Sequence, residues 1–210
     1  QHEGRHYDFY EIDPDVKRIA EDKSLYTFLS DCGSPYDIIL GDGRLKIAAM
    51  PNETYDMIVI DVFSSDNIPA HILTREAFEI YLKKLKPGGM ILANISNNFL
   101  DLAPVVAAVA KSLDIAALFK ISLDEKIGDT EIRYAPSIFS VMARRSEDLG
   151  ALPQTAGWRA YRGDGHDRVW TDDYVSVVSA FWPKGRPSLC MEGDVPYHCD
   201  AQNRTEKTSP

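Results

Sequence analysis

The sequence has few of the features that mark several large classes of protein. It contains three cysteines, Cys32, Cys190 and Cys199, and none of them forms the Cys-x-x-Cys spacing of a zinc or redox motif. We therefore expect a reducing compartment and no structural metal. No apolar run approaches the ~20 residues of a membrane span, and no signal peptide opens the chain. These absences predict a cytoplasmic protein with no direct membrane contact.

Positive charge is also scarce. Lys and Arg number 23 against 32 Asp and Glu, so the formal net charge is -9. Binding to nucleic acid needs a basic face, and no Lys/Arg cluster supplies one, which argues against a nucleic-acid partner. The acidic balance suits a small cationic substrate better. Hydrophobic residues at 44% and charged residues at 26% are typical of a globular protein, and 210 residues suffice for one α/β domain.

Strand and helix patterns alternate through most of residues 7–143. Short apolar runs predict strands at 7–12, 36–40, 57–60, 90–95, 115–121 and 137–143, the last two as an antiparallel edge pair. Apolar residues at helical spacing predict helices at 15–29, 44–50, 74–85, 103–113 and 171–178. This order predicts an α/β fold with a doubly wound, mostly parallel sheet. Residues 183–210 are polar and rich in Pro, Gly and charge, which predicts a disordered tail.

Acidic side chains follow the first predicted strand. Glu11 ends the strand, and Asp13 precedes Pro14 at a predicted helix start. In nucleotide-binding α/β folds an acid at such a strand end accepts hydrogen bonds from ribose hydroxyls, because one carboxylate can take two of them side by side. Glu11 is the candidate for that role, with Asp13 as a second cofactor-binding candidate. The alternative is that these acids complement the helix dipole, which suits Asp13 better than Glu11.

A third acid follows the next predicted strand. Asp42 stands between Gly41 and Gly43, and the glycines can let a ligand approach the backbone. Asp42 could accept a hydrogen bond from an exocyclic amine such as that of adenine. The alternative is an ordinary glycine turn in which Asp42 is the N-cap of the helix at 44–50. Taken alone, the pattern leaves these two interpretations about equal.

The chain is organised around residues 55–69, where a buried strand ends in a polar loop. Residues 57–60 form a continuous apolar run, typical of a central parallel strand. Asp61 follows it directly, and the loop beyond contains Ser64, Ser65 and Asp66. Open α/β sheets bind ligands at the carboxyl ends of their strands, so these residues are candidates for chemistry. The alternative is that Asp61 caps the next helix and Asp66 is a solvated loop charge.

With these pieces placed, the sequence resembles the spermidine synthase family of polyamine aminopropyltransferases, and most closely the spermidine-synthase-like domains found alone or fused to membrane transporter segments in bacteria. The resemblance covers roughly residues 7–182. It depends on five motifs in a fixed order: Tyr10-Glu11-Ile12-Asp13-Pro14, Gly41-Asp42-Gly43-Arg44, residues 61–69, Lys86-Pro87-Gly88-Gly89, and Val169-Trp170-Thr171-Asp172-Asp173-Tyr174.

The resemblance implies a Rossmann-like methyltransferase fold and a transferase activity. An aminopropyl group would move from decarboxylated S-adenosylmethionine to a primary amine such as putrescine, giving spermidine and methylthioadenosine. By position, Glu11 would hold the ribose, while Asp42 and Gly43 would meet the adenine. Asp61 would orient and deprotonate the amine, and Asp66, with Ser64 and Ser65 beside it, would help to hold the cationic substrate.

Two departures from the family pattern accompany this resemblance. The family's first strand with its glycine-rich loop, and its N-terminal β-hairpin region, would both lie upstream of Gln1. We therefore expect residues 1–182 to be an N-terminally incomplete catalytic domain. The family's two loop acids stand three apart, with a Pro after the second, whereas Asp61 and Asp66 stand five apart and Asn67 follows.

The same features leave other functions open. An S-adenosylmethionine-dependent methyltransferase is the nearest alternative, because Glu11 and Asp42 would serve that cofactor equally well. A non-catalytic domain that binds a nucleoside or a partner protein is a third possibility. The family further implies a homodimer as a candidate assembly and, for the fused members, a cytosolic domain of a membrane-transporter fusion.

Overall fold

The computed structural model describes residues 4–61, 69–97, 99–122, 126–127, 130–131, 137–161 and 169–180. Its backbone divides into two compact units, Gln1–Asn52 and Glu53–Pro210. The predicted tail at 183–210 lies outside the described residues and stays a prediction. No helix in the described part of the chain has the length and hydropathy needed to cross a membrane.

The first unit contains a parallel pair of strands. Its elements are β1 (Tyr7–Glu11), α1 (Pro14–Glu21), α2 (Phe28–Asp31), β2 (Tyr36–Leu40) and α3 (Gly43–Ala49). The β1–β2 register begins with Tyr7 opposite Tyr36 and ends with Glu11 opposite Leu40. Both strands lie where the apolar runs predict them. Because they are parallel, their carboxyl ends meet at the same edge of the sheet.

The helix predicted across residues 15–29 is wrong in its length. Helix α1 ends at Glu21, and α2 begins only at Phe28. At the break, Oδ1 of Asp22 accepts hydrogen bonds from the backbone N–H of Ser24 at 2.9 Å and from its hydroxyl at 2.6 Å. These two bonds also lower the pKa of Asp22. An aspartate that binds the backbone two residues on forms a turn instead of a helix, so the helical spacing is interrupted there.

The second unit is built on a mixed four-stranded sheet. Its main elements are β3 (Tyr55–Ile60), α4 (Arg75–Lys84), β4 (Leu85–Asn94), α5 (Ala103–Ser112), β5 (Ala116–Ser122), β6 (Lys126–Ile127), β7 (Thr130–Glu131) and β8 (Ser137–Ala143), with 3-10 turns at Ala70–Ile72, Ser146–Leu149, Leu152–Gln154 and Val178–Ala180. The order in the sheet is β3-β4-β8-β5. Strands β3 and β4 are parallel, and β8 runs antiparallel to both β4 and β5. The predicted antiparallel pairing of the last two strands is confirmed.

The core of this unit lies between the sheet and helices α4 and α5. Helix α5 reads Ala-Pro-Val-Val-Ala-Ala-Val-Ala-Lys-Ser, and six of its ten residues are buried, because small and β-branched side chains let the helix approach the sheet closely. Large side chains fill the remaining space: Phe78, Leu85, Ile91, Phe119, Met142 and Trp170. This packing fixes β4 as an interior strand, and its carboxyl end is therefore a rigid position for polar groups.

The Lys-Pro-Gly-Gly motif forms an irregularity at the start of β4. The register places Tyr55 opposite Leu85 but Met57 opposite Met90, so residues 86–89 bulge out between the two pairs. A Cβ on Gly89 would lie 3.0 Å from the carbonyl oxygens of Asp56 and Lys86. Glycine is therefore needed at 89 because the backbone of β3 passes too close for a side chain.

Arg144, which follows β8, ties this irregularity to the end of α4. Its guanidinium donates to the carbonyl of Lys86 at 2.9 Å and to that of Leu85 at 2.8 Å, and it also donates to the carbonyl of Leu82. These carbonyls are at or beyond the last turn of a helix, where a cation is favourable. The contact fixes the entry into β4 and thus the strand's register along the sheet.

The helix predicted at 171–178 is wrong. Thr171 and Tyr174 instead close a tight turn through two backbone hydrogen bonds of 2.9 and 3.1 Å. The hydroxyl of Thr74, the N-cap residue of α4, donates to Asp172 at 2.7 Å, and the N–H of Asp172 donates to Glu76 at 2.9 Å. Tertiary partners at the start of α4 thus replace the local bonds that a helix would make.

Candidate functional site

Glu11 and Asp42 follow neighbouring strands in the first unit. Glu11 is the last residue of β1, and Asp42 comes two residues after the end of β2. The N–H of Gly41 donates to the carbonyl of Glu11 at 2.8 Å and so continues the strand pairing by one step. The two acids therefore lie at the same edge of the parallel pair, as the sequence predicts.

Glu11 has one carboxylate oxygen engaged by its own chain. Oε1 accepts a hydrogen bond of 2.8 Å from the N–H of Asp13. Within the described residues no hydrogen bond reaches Oε2. One oxygen thus holds the side chain in place, while the other can accept hydrogen bonds from a ligand.

Asp13 is the N-cap of α1. Its carboxylate accepts a hydrogen bond of 2.8 Å from the N–H of Asp15, and Pro14 occupies the first turn. This matches the alternative interpretation of Asp13 as a helix-terminal acid. Its binding to a cofactor stays a prediction, and its observed part is to donate the N–H that fixes Glu11.

Asp42 is the N-cap of α3. Its Oδ1 accepts a hydrogen bond of 2.9 Å from the N–H of Leu45. Gly41 before it has φ +130°, a conformation that L side chains rarely adopt, whereas a Cβ on Gly43 would make only an ordinary contact of 3.5 Å with Tyr10. The capping interpretation of Asp42 is confirmed. The approach of adenine to Asp42 and Gly43 stays a prediction.

Two solvent-exposed apolar residues are close to these acids in the sequence. Ile12 follows Glu11 and is 70% exposed, while Leu45 in the first turn of α3 is 71% exposed. Aliphatic side chains beside hydrogen-bonding groups are what a flat aromatic base requires, because the faces of the base are apolar and its edge is polar. The hydrophobic periodicity identifies neither residue as part of a site. Their exposure in the structure is what makes them candidates for contact with a base.

Asp61 stands at the carboxyl end of β3 in the second unit. Its Oδ1 accepts a hydrogen bond of 3.0 Å from Nδ2 of Asn94, the last residue of β4. The parallel register pairs Ile60 with Ala93, which brings the next residue of each strand side by side. Asn94 thus holds one oxygen of Asp61, and no described residue donates a hydrogen bond to the other.

Asn94 belongs to a hydrogen-bond chain that sequence reasoning missed. Its Oδ1 accepts from the N–H of Ser96 at 3.1 Å and from the Ser96 hydroxyl at 2.5 Å. The N–H of Ile138 in β8 donates to that hydroxyl at 2.8 Å. A single polar residue in the apolar run Met-Ile-Leu-Ala-Asn-Ile is the signal that could have identified Asn94.

The remaining predicted site residues follow Asp61 in the sequence. Ser64, Ser65 and Asp66 fall within residues 62–68, which are outside the described residues. Their assignment to substrate binding stays a prediction. The structure therefore describes Glu11, Asp13, Asp42 and Gly43 together in one unit, and Asp61 with Asn94 in the other.

A separate polar group lies at the amino ends of β1 and β2. Nε2 of His6 is 3.1 Å from Oδ1 of Asp8 and 3.1 Å from Oδ2 of Asp37. The register places Asp8 opposite Asp37, so two carboxylates meet across the strands, and an imidazole between them offsets their repulsion when it is protonated. The spacing of the three groups would also admit a cation. This cluster is at the opposite end of the strands from Glu11.

One curated relative supports the resemblance drawn from the motifs. The polyamine aminopropyltransferase of Vibrio vulnificus (strain CMCP6) is 34% identical over 91 residues, which are 42% of this chain and 29% of that protein. The match thus spans less than a third of the relative's length. The resemblance to the spermidine synthase family is confirmed by this similarity. No family model matches the chain.

A solved structure with a similar backbone supports the fold. The spermidine synthase of Thermotoga maritima matches with a TM-score of 0.50 and 14% identity, covering 84% of this chain and 56% of that chain. A probable spermidine synthase from Corynebacterium glutamicum ATCC 13032 matches with a TM-score of 0.48 and 17% identity, covering 81% of this chain and 74% of that chain. The predicted fold class, α/β with the Rossmann-like arrangement of methyltransferases, is confirmed.

Proposed function

We propose that this chain is a transferase of the spermidine synthase type, which moves an aminopropyl group from decarboxylated S-adenosylmethionine to a primary amine such as putrescine. The products are spermidine and methylthioadenosine. The observation that carries the proposal is Asp61, a carboxylate at a strand's carboxyl end whose Oδ1 accepts a hydrogen bond from Asn94. The name of the curated relative supports the same reaction.

Nucleoside binding is assigned to the first unit. The available oxygen of Glu11 accepts hydrogen bonds from the ribose hydroxyls, and Asp42 accepts one from the exocyclic amine of adenine while Gly43 lets the base approach. Ile12 and Leu45 supply apolar contacts to the faces of the base. All of these groups belong to the segment from β1 to the first turn of α3.

Proton acceptance is assigned to Asp61. A primary amine at neutral pH carries a proton and has no lone pair, so a carboxylate must first take that proton. The nitrogen then attacks the carbon bonded to the sulfonium. The C–N bond forms, the C–S bond breaks, and its electron pair remains on sulfur as a neutral thioether, so no acid is needed for the leaving group. Asp66, with Ser64 and Ser65, is proposed to hold the charge at the far end of the amine.

The proposed function includes a cellular location, an assembly and a class of partner. The cysteine pattern, which predicts a reducing compartment, supports a reaction in the cytoplasm, carried out by this chain alone or as the cytosolic part of a longer protein with membrane segments. A homodimer is the proposed assembly. Small cationic amines are the proposed partners, and nucleic acid is not among them because the chain has no basic cluster.

Calorimetric titration of the chain with three nucleosides tests the assignment. We expect methylthioadenosine and decarboxylated S-adenosylmethionine to bind, and S-adenosylhomocysteine to bind at least about tenfold more weakly, a difference of ~1.4 kcal/mol. Among the three ligands only S-adenosylhomocysteine has a carboxylate, which the acidic side chains of the site would repel.

Two other results of this titration would each contradict the proposal. Preference for S-adenosylhomocysteine would identify a methyltransferase, because that compound is the product of methyl transfer. Absence of binding by all three nucleosides would identify an incomplete domain or one without catalytic function. Methylthioinosine is the matched control, because it lacks the exocyclic amine of methylthioadenosine. It should bind more weakly than methylthioadenosine if Asp42 accepts a hydrogen bond from that amine.

A further inference from the structure

We propose that Asn94 is the positioning residue for Asp61, and that Ser96 fixes the orientation in which Asn94 does this. The inference rests on the proposed function, since it takes Asp61 as the proton acceptor. Asn94 would not touch the substrate. It would act by holding one oxygen of Asp61, so that the other is presented in a single direction.

The polarity of the hydrogen-bond chain follows from its two backbone donors. The N–H of Ser96 can only donate, so the atom of Asn94 that faces it at 3.1 Å must be the oxygen. The N–H of Ile138 likewise can only donate to the Ser96 hydroxyl, which leaves the hydroxyl hydrogen for Asn94 at 2.5 Å. The amide of Asn94 therefore has one orientation, with Nδ2 directed at Asp61.

The orientation of the Asn94 amide determines which group it presents to the Asp61 carboxylate. An N–H donor at 3.0 Å needs an acceptor opposite it, and Oδ1 of Asp61 is that acceptor. A reversed amide would set two oxygens against each other and displace the carboxylate. Because the second oxygen of Asp61 has no partner among the described residues, its direction depends on the hold that Asn94 has on the first.

The hydrogen-bond chain is anchored in the sheet of the second unit. Strand β4 is an interior strand that pairs with β3 on one side and β8 on the other, with Asn94 opposite Phe139. The N–H of Ile95 donates to the carbonyl of Ile138 at 2.8 Å. The bond from Asn94 therefore holds the Asp61 carboxylate in a fixed position relative to the sheet. A proton acceptor needs such a fixed position, since small misplacements of reacting groups are costly.

Kinetics of Asn94→Ala and Ser96→Ala test the proposal. We expect kcat for aminopropyl transfer to fall by about 10- to 100-fold in Asn94→Ala, because a carboxylate free to rotate loses its alignment. The dissociation constant for methylthioadenosine should stay within about twofold of the wild-type value. Ser96→Ala should lower kcat in the same direction, while Ser96→Thr, which keeps the hydroxyl, should restore it.

Matched controls separate positioning from loss of structure. Ser112→Ala removes a serine hydroxyl that bonds to the carbonyl of Val109 at the end of α5, and it should leave kcat unchanged. If wild type transfers the aminopropyl group and Asn94→Ala keeps its kcat within about threefold, the positioning role is wrong while the proposed function stands. If wild type transfers nothing, the proposed function fails and the positioning role fails with it.

A measurement without turnover tests the contact itself. The side-chain amide signals of Asn94, identified by their loss in Asn94→Ala, should shift in the nuclear magnetic resonance spectrum of Asp61→Ala. They should not shift in Asp56→Ala, which removes an acid from the other end of the same strand. Equal shifts in both variants, or none in either, would contradict the hydrogen bond between Asn94 and Asp61.

Discussion

Asp61→Asn is expected to lower kcat for aminopropyl transfer by about 10²- to 10⁴-fold, the usual contribution of a positioned acid or base. The amide has nearly the shape of the carboxylate, and its oxygen can still accept the hydrogen bond from Asn94, so the strand end keeps its structure. What is lost is the ability to take a proton from the amine. Steady-state kinetics with decarboxylated S-adenosylmethionine and putrescine measure the effect.

The control for this prediction lies on the same strand. Asp56→Asn makes the same change on β3, where the carboxylate forms an exposed pair with Lys86 at 2.8 Å. Exposed pairs contribute little, so activity and stability should change little. Methylthioadenosine should bind Asp61→Asn within about twofold of its affinity for wild type. An equal loss of activity in both variants would show that Asp61 has no special part in the reaction.

Glu11→Gln is expected to weaken the binding of methylthioadenosine by about 10- to 100-fold, because hydrogen bonds to a charged group contribute ~1.5–3 kcal/mol. The amide oxygen can still accept from the N–H of Asp13, so the local structure is kept and only the charge on the ribose-binding group is lost. Calorimetric titration measures the affinity directly, and it needs no turnover.

Glu21→Gln provides the comparison for Glu11→Gln. Glu21 is the last residue of α1, half-exposed, and 3.8 Å from Lys17. The substitution makes the same change in net charge in the same unit, and the affinity should stay within about twofold of wild type. If both variants lose affinity to the same extent, the effect belongs to the overall charge of the protein, and Glu11 has no direct contact with the nucleoside.

Much of the fold could be predicted because hydrophobic periodicity is a local signal. The strand at Tyr36–Leu40 begins and ends where the apolar run does, and the helix Ala103–Ser112 departs from its prediction by one residue at its end. Both have strong patterns bounded by turn residues. The carboxyl-end positions of Glu11, Asp42 and Asp61 follow from the same patterns, since an acid directly after a parallel strand must lie at that edge of the sheet.

The failures of sequence reasoning come from interactions between distant parts of the chain. The turn at Thr171 replaces a predicted helix because Asp172 finds Thr74 and Glu76, which are 98 and 96 residues away. Asn94 reads as one residue of a buried strand, and its role depends on Ser96 and on a donor from β8. Ser96 is only two residues away, but the bonds to Ile138 and to Asp61 cannot be deduced from spacing, because they exist only once the sheet is assembled.

The measurement that tests the central claim most directly is product analysis of the wild-type chain with decarboxylated S-adenosylmethionine and putrescine. Liquid chromatography with mass spectrometry should detect spermidine and methylthioadenosine in equal amounts, and both should be absent without the amine. A chain that binds methylthioadenosine but forms no spermidine, or that instead methylates the amine when given S-adenosylmethionine, would contradict the claim.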